Sequence, residues 1–242
     1  MTAPATIVLL HGFTQTGRSW DPVVAAMGER YRALAPDLRG HGSASDLRPV
    51  GFGEIAADVL ALAPARFALA GYSMGGRIAL DLALRDGGAA QQRIERLTLI
   101  GASPGLRSAG ERAARRAADD ALAEQILSGG VEAFARGWAA QPLFADQPPA
   151  VAAAAHAERL RSTPEGLAAS LCGTGTGTME PLWERLPRLR LPVTLIAGER
   201  DAKFRALAEQ MAELLPDATL HVVEGAGHAV QLERPDAVAA LL

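Results

Sequence analysis

The sequence predicts an α/β fold: a mostly parallel sheet flanked by helices, with a helical lid inserted between two of the strands. Three observations carry that reading. Short apolar runs alternate with segments whose apolar residues recur at helical spacing, as when crossover helices join parallel strands. The runs stop at proline, at glycine or at a His-Gly pair, which is the turn chemistry of strand ends. One long stretch, residues 107–190, is rich in alanine and arginine and helical in period, yet strands resume after it.

Each element follows from its residues. Ala5–Leu10 (ATIVLL) is a buried strand ending at His11-Gly12, and residues 31–35 form a second, stopped by Pro36. Phe52, Ile55, Val59 and Leu62 are spaced as one face of a helix. Residues 67–71 read as a strand, and 75–84 as a helix with small residues where it meets the sheet. Residues 97–100 give a strand ending in Gly101-Ala102-Ser103-Pro104. Strands return at 193–197 and 219–223, with a helix over 204–215 between them and a last helix from Pro235. The core is therefore 1–106 with 191–242, and the lid is 107–190, broken at Pro142, Pro148-Pro149 and Pro164 into several short helices. A helical block in this position covers the carboxyl edge of the sheet, where ligands bind in such folds. An independent linker domain is the alternative, and the strands that resume afterwards argue against it. The repetitive GTGTGT at 173–178 reads as a loop.

Composition narrows the function classes. The 242 residues are 49% hydrophobic and 21% charged, which is globular and enough for a sizeable core. A formal charge of −3 gives no basic surface for a nucleic-acid partner. A single cysteine, Cys172, excludes an internal disulfide framework and a multi-cysteine zinc site. No apolar run reaches the roughly 18 residues of a membrane helix, and residues 1–10 lack the basic start of a signal peptide. The expectation is a soluble cytoplasmic protein acting on a small molecule, with no membrane or nucleic-acid partner; its oligomeric state is not legible. No metal cluster or phosphate loop is present, so no cofactor and no metal are expected. Of 24 basic residues only Lys203 is lysine, which a biased base composition explains. Any anion the protein grips is then expected to meet guanidinium forks.

The chemistry-bearing motif is Gly71-Tyr72-Ser73-Met74-Gly75, a G-x-S-x-G between a strand and a helix, where a nucleophile elbow belongs. A serine hydroxyl is inert at neutral pH without a base, and the base needs an acid to orient it. On such a sheet the order is Ser, then Asp or Glu, then His. Asp201 stands 128 residues beyond Ser73, in Gly198-Glu199-Arg200-Asp201, and His228 follows 27 residues later, just past a strand. Both close a predicted strand and can converge on Ser73. Glu199 is the alternative acid, less well positioned than Asp201. His11 and His41 sit in turn-rich segments and read as loop-shaping residues; His156 and His221 carry no signal. The backbone N–H groups of Phe13 and Met74 are the expected oxyanion donors.

Taken in order, the His11-Gly12-Phe13 loop, Asp37–Gly42, the elbow, the acid and the Gly-x-Gly-His segment resemble the α/β-hydrolase superfamily along essentially the whole chain. Serine at the nucleophile position departs from the haloalkane dehalogenase branch, which has aspartate there. A narrower resemblance rests on GYSMGGRIAL at 71–80, GASPGL at 101–106, Trp138 with Gln141-Pro142-Leu143-Phe144, Leu160-Arg161-Ser162, Leu171–Leu182 with its Gly-Thr-Gly and Pro-Leu-Trp elements, and GERDAKFRA at 198–206. These look like the 2-succinyl-6-hydroxy-2,4-cyclohexadiene-1-carboxylate synthases of menaquinone biosynthesis. The resemblance implies that the triad removes a proton from a cyclohexene carrying three carboxylates and eliminates pyruvate from its enolpyruvyl ether. It further implies that Arg77, Arg115 and Arg161 bind carboxylates and that Tyr72 and Trp138 line the pocket. Arg112 and Arg116 compete with Arg115 for that role, and Thr14-Gln15-Thr16-Gly17-Arg18 departs from a diagnostic spacing.

Three functions remain open on the sequence: a carbon–oxygen lyase, a serine hydrolase of small esters or carbon–carbon bonds, and a non-catalytic binding protein. The intact Ser73, Asp201 and His228 argue against the last. Convergent arginines separate the first from the second.

Overall fold

Strands β1 (Ala5–Leu10), β2 (Tyr31–Leu34), β3 (Phe67–Tyr72), β4 (Ile94–Ile100), β5 (Val193–Gly198) and β6 (Ala218–Val223) form one all-parallel sheet in the order β2-β1-β3-β4-β5-β6. The computed structural model describes residues 4–144 and 146–242; residues 1–3 and 145, which the sequence reading assigned to core and lid, lie outside the described residues. Side chains of a strand alternate between faces, so a strand buried on both sides is apolar at every position. In β1, Val8 and Leu10 pack with Leu69, Leu97 and Leu195 under helices α2 (Phe52–Leu62), α3 (Met74–Leu84) and α7 (Ala202–Leu214). Ile7 and Leu9 face the other way, against α1 (Asp21–Met27) and the last helix (Pro235–Leu241). The side chains just named in β1 are at most 1% exposed. Complete burial of each is worth about 1.5–3 kcal/mol relative to solvent.

The expected strands and core helices are present, most of them one to three residues longer at an end. Two short helices were not expected, α1 and Val230–Glu233, because each is under two turns or only four residues long and carries too little periodicity to read.

Between β4 and β5 stand α4 (Ala109–Ala139), α5 (Pro149–Arg159) and α6 (Pro164–Thr174). Ser108 caps α4 by accepting the Glu111 N–H, and Thr163 caps α6 by accepting that of Gly166. Pro149 and Pro164 occupy first-turn positions, where a missing N–H costs nothing. The first of these helices corrects the expectation of uniformly short pieces: it runs 31 residues and breaks its geometry only at Gly130, with φ 77°. The GTGTGT stretch is not wholly loop either, since α6 carries through Thr174 before turning. Ile126, Phe134, Leu167 and Leu171 form a separate small core that meets Phe13 of the β1 loop. The inserted helices thereby rest on the segment that follows β1. Among the described residues no helix is long and apolar enough to cross a membrane.

Candidate active site

The turn between β3 and α3 carries Ser73 at φ 51° and ψ −107°, a backbone geometry that L-residues seldom adopt. The surroundings impose it. Ser73 N–H donates to Ile100 O at 2.8 Å, and α3 crosses so close that a Cβ on Gly75 would lie 2.2 Å from Leu10 O. The hydroxyl is thus held above the carboxyl ends of the strands. Ser73 Oγ lies 3.2 Å from His228 Nε2, and His228 Nδ1–H donates to Asp201 Oδ2 at 2.6 Å. His228 and Asp201 are 2% and 6% exposed. Asp201 also caps α7, its Oδ1 accepting the Phe204 N–H, so the acid is fixed by helix chemistry as well as by the imidazole. Glu199, the other candidate acid, accepts from Gly225 N–H instead.

The loop after β1 is braced by two buried imidazoles. His11 Nδ1–H donates to Gly12 O while Nε2 accepts the Leu38 N–H; His41 Nε2 accepts the Thr14 N–H. Rings that must accept at Nε2 are neutral, and burial holds both well below the ordinary imidazole value. Among the described residues, neither Phe13 N–H nor Met74 N–H, at the start of α3, has an internal acceptor. Such donors beside a serine suit a developing oxyanion.

A cavity of about 460 Å³ opens over Ser73 and His228, with Phe13, Trp138 and Leu143 among its walls. Two guanidinium groups line it. Arg77, one turn into α3, donates to Thr174 O, and its pKa is lowered to about 10 by burial and by the neighbouring Arg115. Arg115 is held by Asp119, four residues along α4, with Nε to Oδ1 at 2.7 Å. Asp119 is buried, its second carboxylate oxygen has no partner, and burial raises its pKa. Arg112 and Arg116, the competitors of Arg115, donate to carbonyls of Leu106, Arg107 and Gly177 and stay outside the cavity.

The sequence profile of the alpha/beta hydrolase family matches residues 7–241. The chain belongs to that family. A Salmonella newport (strain SL254) member named 2-succinyl-6-hydroxy-2,4-cyclohexadiene-1-carboxylate synthase is 34% identical over 240 residues, 96% of this chain and 90% of that protein. A Bacillus subtilis (strain 168) protein that bears the same name provisionally is 36% identical over 245 residues, 96% of this chain and 87% of its own. The solved structure of MenH from S. aureus matches with a TM-score of 0.91 at 30% identity, covering 100% of this chain and 92% of that one.

Within this alpha/beta hydrolase framework, two expected pocket residues are elsewhere. Tyr72 is 3% exposed and does not line the cavity; it packs behind His228, ring centroids 5.3 Å apart. The reason is strand alternation: Tyr72 shares the face of Ala68 and Ala70, the one covered by α1. Arg161 lies past the end of α5, its side chain 42% exposed and its Nε 2.8 Å from Glu158 Oε1, also outside the cavity. Glu158 in turn accepts the Thr16 hydroxyl, tying the insert to the β1 loop. Sequence reasoning overlooked several neighbours. Asp119 was findable from its i,i+4 spacing to Arg115. Phe204, whose ring lies 4.4 Å from that of His228, and Lys203 were findable from their place just after the acid. Arg159 is 3% exposed with Nε and Nη1 unpartnered, its guanidinium 5.6 Å from the Phe144 ring, and burial lowers its pKa. Nothing in its sequence context marked it.

Proposed function

We propose that this enzyme is a lyase of menaquinone biosynthesis, eliminating pyruvate from an enolpyruvyl cyclohexene tricarboxylate to give 2-succinyl-6-hydroxy-2,4-cyclohexadiene-1-carboxylate, the product for which its relatives are named. The observation that carries this reading is the Arg77–Arg115 pair in the cavity that opens over Ser73. The Arg77 and Arg115 guanidinium groups repel each other at the cavity wall, and among the described residues only Arg115 of the two has a carboxylate partner. An anionic substrate relieves that repulsion, and a neutral ester has no charge to do so. Residues 107–190 act as the lid, bringing Arg115 and Trp138 to the substrate, a small anionic molecule of the cytoplasm.

His228, oriented by Asp201, draws the Ser73 hydroxyl proton, and Ser73 Oγ removes a ring proton beside the succinyl carbonyl. The electron pair of that C–H bond moves through the ring double bond and breaks the C–O bond to the enolpyruvyl group. The departing enolate takes up a proton and becomes pyruvate; no water is consumed. Negative charge building on the succinyl oxygen meets the N–H groups of Phe13 and Met74. The same serine, acid and base also suit ester hydrolysis, and the arginine pair favours the lyase.

The test is pyruvate release from the enolpyruvyl substrate, assayed beside hydrolysis of a small neutral ester. Wild type is expected to release pyruvate, and Ser73→Ala to lose nearly all of that activity while keeping its circular dichroism spectrum, because such residues act as a unit. Near-normal pyruvate release by folded Ser73→Ala overturns the mechanism. Ester hydrolysis without pyruvate release leaves the serine hydrolase in its place.

A further inference from the structure

Lys203 is the single lysine among 24 basic residues, and it lines the cavity together with Arg77 and Arg115. A base composition that has put arginine at every other basic position accounts for the arginines, not for the position of the one exception. Local chemistry accounts for it only in part. Lys203 stands in the first turn of α7, a 13-residue helix capped by Asp201. A cation there opposes the positive end of the helix dipole and costs about 0.3–1 kcal/mol. Among the described residues no carboxylate pairs with it to offset that cost. Its Nζ lies 5.5 Å from the centre of the Phe204 ring, and that ring packs 4.4 Å from the His228 ring. An ammonium group is therefore held at the His228 side of the cavity, on a different element from Arg77 of α3 and Arg115 of α4.

The Phe204 ring offsets part of the helix-dipole cost and holds the ammonium at the cavity, and breaking a local rule at a site of this kind points to a role in function. We propose that Lys203 is a substrate-binding residue that meets a carboxylate beyond the reach of the Arg77–Arg115 pair, and so selects for a substrate with anionic groups at both ends of the cavity. This inference rests on the reading of the site as one for a polycarboxylate. Lysine differs from arginine here in kind: it is a compact, rotatable point charge with three donors, able to track a carboxylate that moves as the substrate reacts, whereas a planar fork imposes one orientation.

The test uses Lys203→Ala, Lys203→Gln and Lys203→Arg beside wild type, with pyruvate release measured at several salt concentrations. Lys203 is exposed, so the variants should fold, and circular dichroism checks that they do. The expected result is a KM raised roughly ten- to hundredfold in the alanine and glutamine variants, with kcat changed much less. Lys203→Arg should recover only part of that loss, because the planar fork imposes one orientation. Added salt should raise the wild-type KM more steeply than that of Lys203→Ala, because wild type has one more charge to screen beside those of Arg77 and Arg115. A KM within twofold of wild type in Lys203→Ala, or a loss confined to kcat, overturns the proposal. Calorimetric titration with propane-1,2,3-tricarboxylate keeps the question separate from turnover. If wild type releases no pyruvate, the lyase reading falls, but tenfold weaker binding of this probe to Lys203→Ala still supports the anion contact, and equal binding overturns it.

Discussion

Replacing Arg77 and Arg161 by alanine, one at a time, sets a half-buried cation of the cavity against an exposed one outside it. Resemblance to the synthases gives the two the same task; the geometry does not. Arg77 stands at the cavity wall, anchored on Thr174 O, and desolvation, with Arg115 nearby, lowers its pKa to about 10. A charge-assisted contact from such a group to a substrate carboxylate is worth about 1.5–3 kcal/mol, which is roughly a ten- to 150-fold loss in kcat/KM on removal. Arg161 has its side chain 42% exposed and paired with Glu158 three residues away. An exposed pair of that type contributes about 0.2–1 kcal/mol to stability and nothing directly to substrate binding, so kcat/KM should stay within about twofold. Pyruvate release, followed by coupled reduction with lactate dehydrogenase, measures both variants in one assay. Arg77→Lys should recover only part of the loss, since an ammonium cannot reproduce the fork. Equal losses for Arg77→Ala and Arg161→Ala would refute the reasoning, because the substrate would then meet a site in which Arg161 faces the cavity.

Two further expectations concern stability. His11 and His41 stay neutral in the folded protein well below the ordinary value of about 6.5, while the unfolded chain takes up protons there. Their contribution is therefore fully present above about pH 6.5 and is lost as pH falls below it, with a slope approaching two protons or about 2.7 kcal/mol per pH unit. Chemical denaturation between pH 7.5 and 5 should show this, His41→Gln should remove about one proton of the slope, and a flat profile would contradict it. Gly75→Ala drives a Cβ to 2.2 Å from Leu10 O, backbone against backbone. It should cost about 3 kcal/mol or more and lower Tm by roughly 6–12 °C at this chain length. Gly137→Ala, where nothing lies within 4 Å in an inserted helix, should leave Tm unchanged or raise it slightly.

What was legible in the sequence follows the strength of the physical signal. A strand such as Ala5–Leu10, apolar on both faces because both faces are covered, announces itself; so does a serine in a glycine-flanked turn that only a strand-to-helix reversal needs. Asp201 and His228 were readable because each follows a strand and fold order restricts the choice. Direction was not readable. Tyr72 adjoins the nucleophile in sequence, yet consecutive strand residues point oppositely, and the side chain goes behind His228. Arg159 and Arg161 are two positions apart, roughly 200° around a helix, and a break by one residue at the end of α5 decides which of them is buried. The bend at Gly130 was signalled by Ser128-Gly129-Gly130, a breaker pattern that was passed over inside an otherwise helical stretch.

The conformation of Ser73 also bears on how this protein can change over generations. A residue held at φ 51° and ψ −107° stores about 1–3 kcal/mol that the rest of the molecule must offset. Glycine at the same position would relieve that strain and remove the nucleophile. Any process that rewards thermal robustness alone, whether a laboratory screen for heat tolerance or drift after the reaction is no longer needed, therefore drives the chain toward a sturdier and inert descendant. The elbow persists only where the reaction itself is selected, so an unrelieved serine in that turn is a record of use.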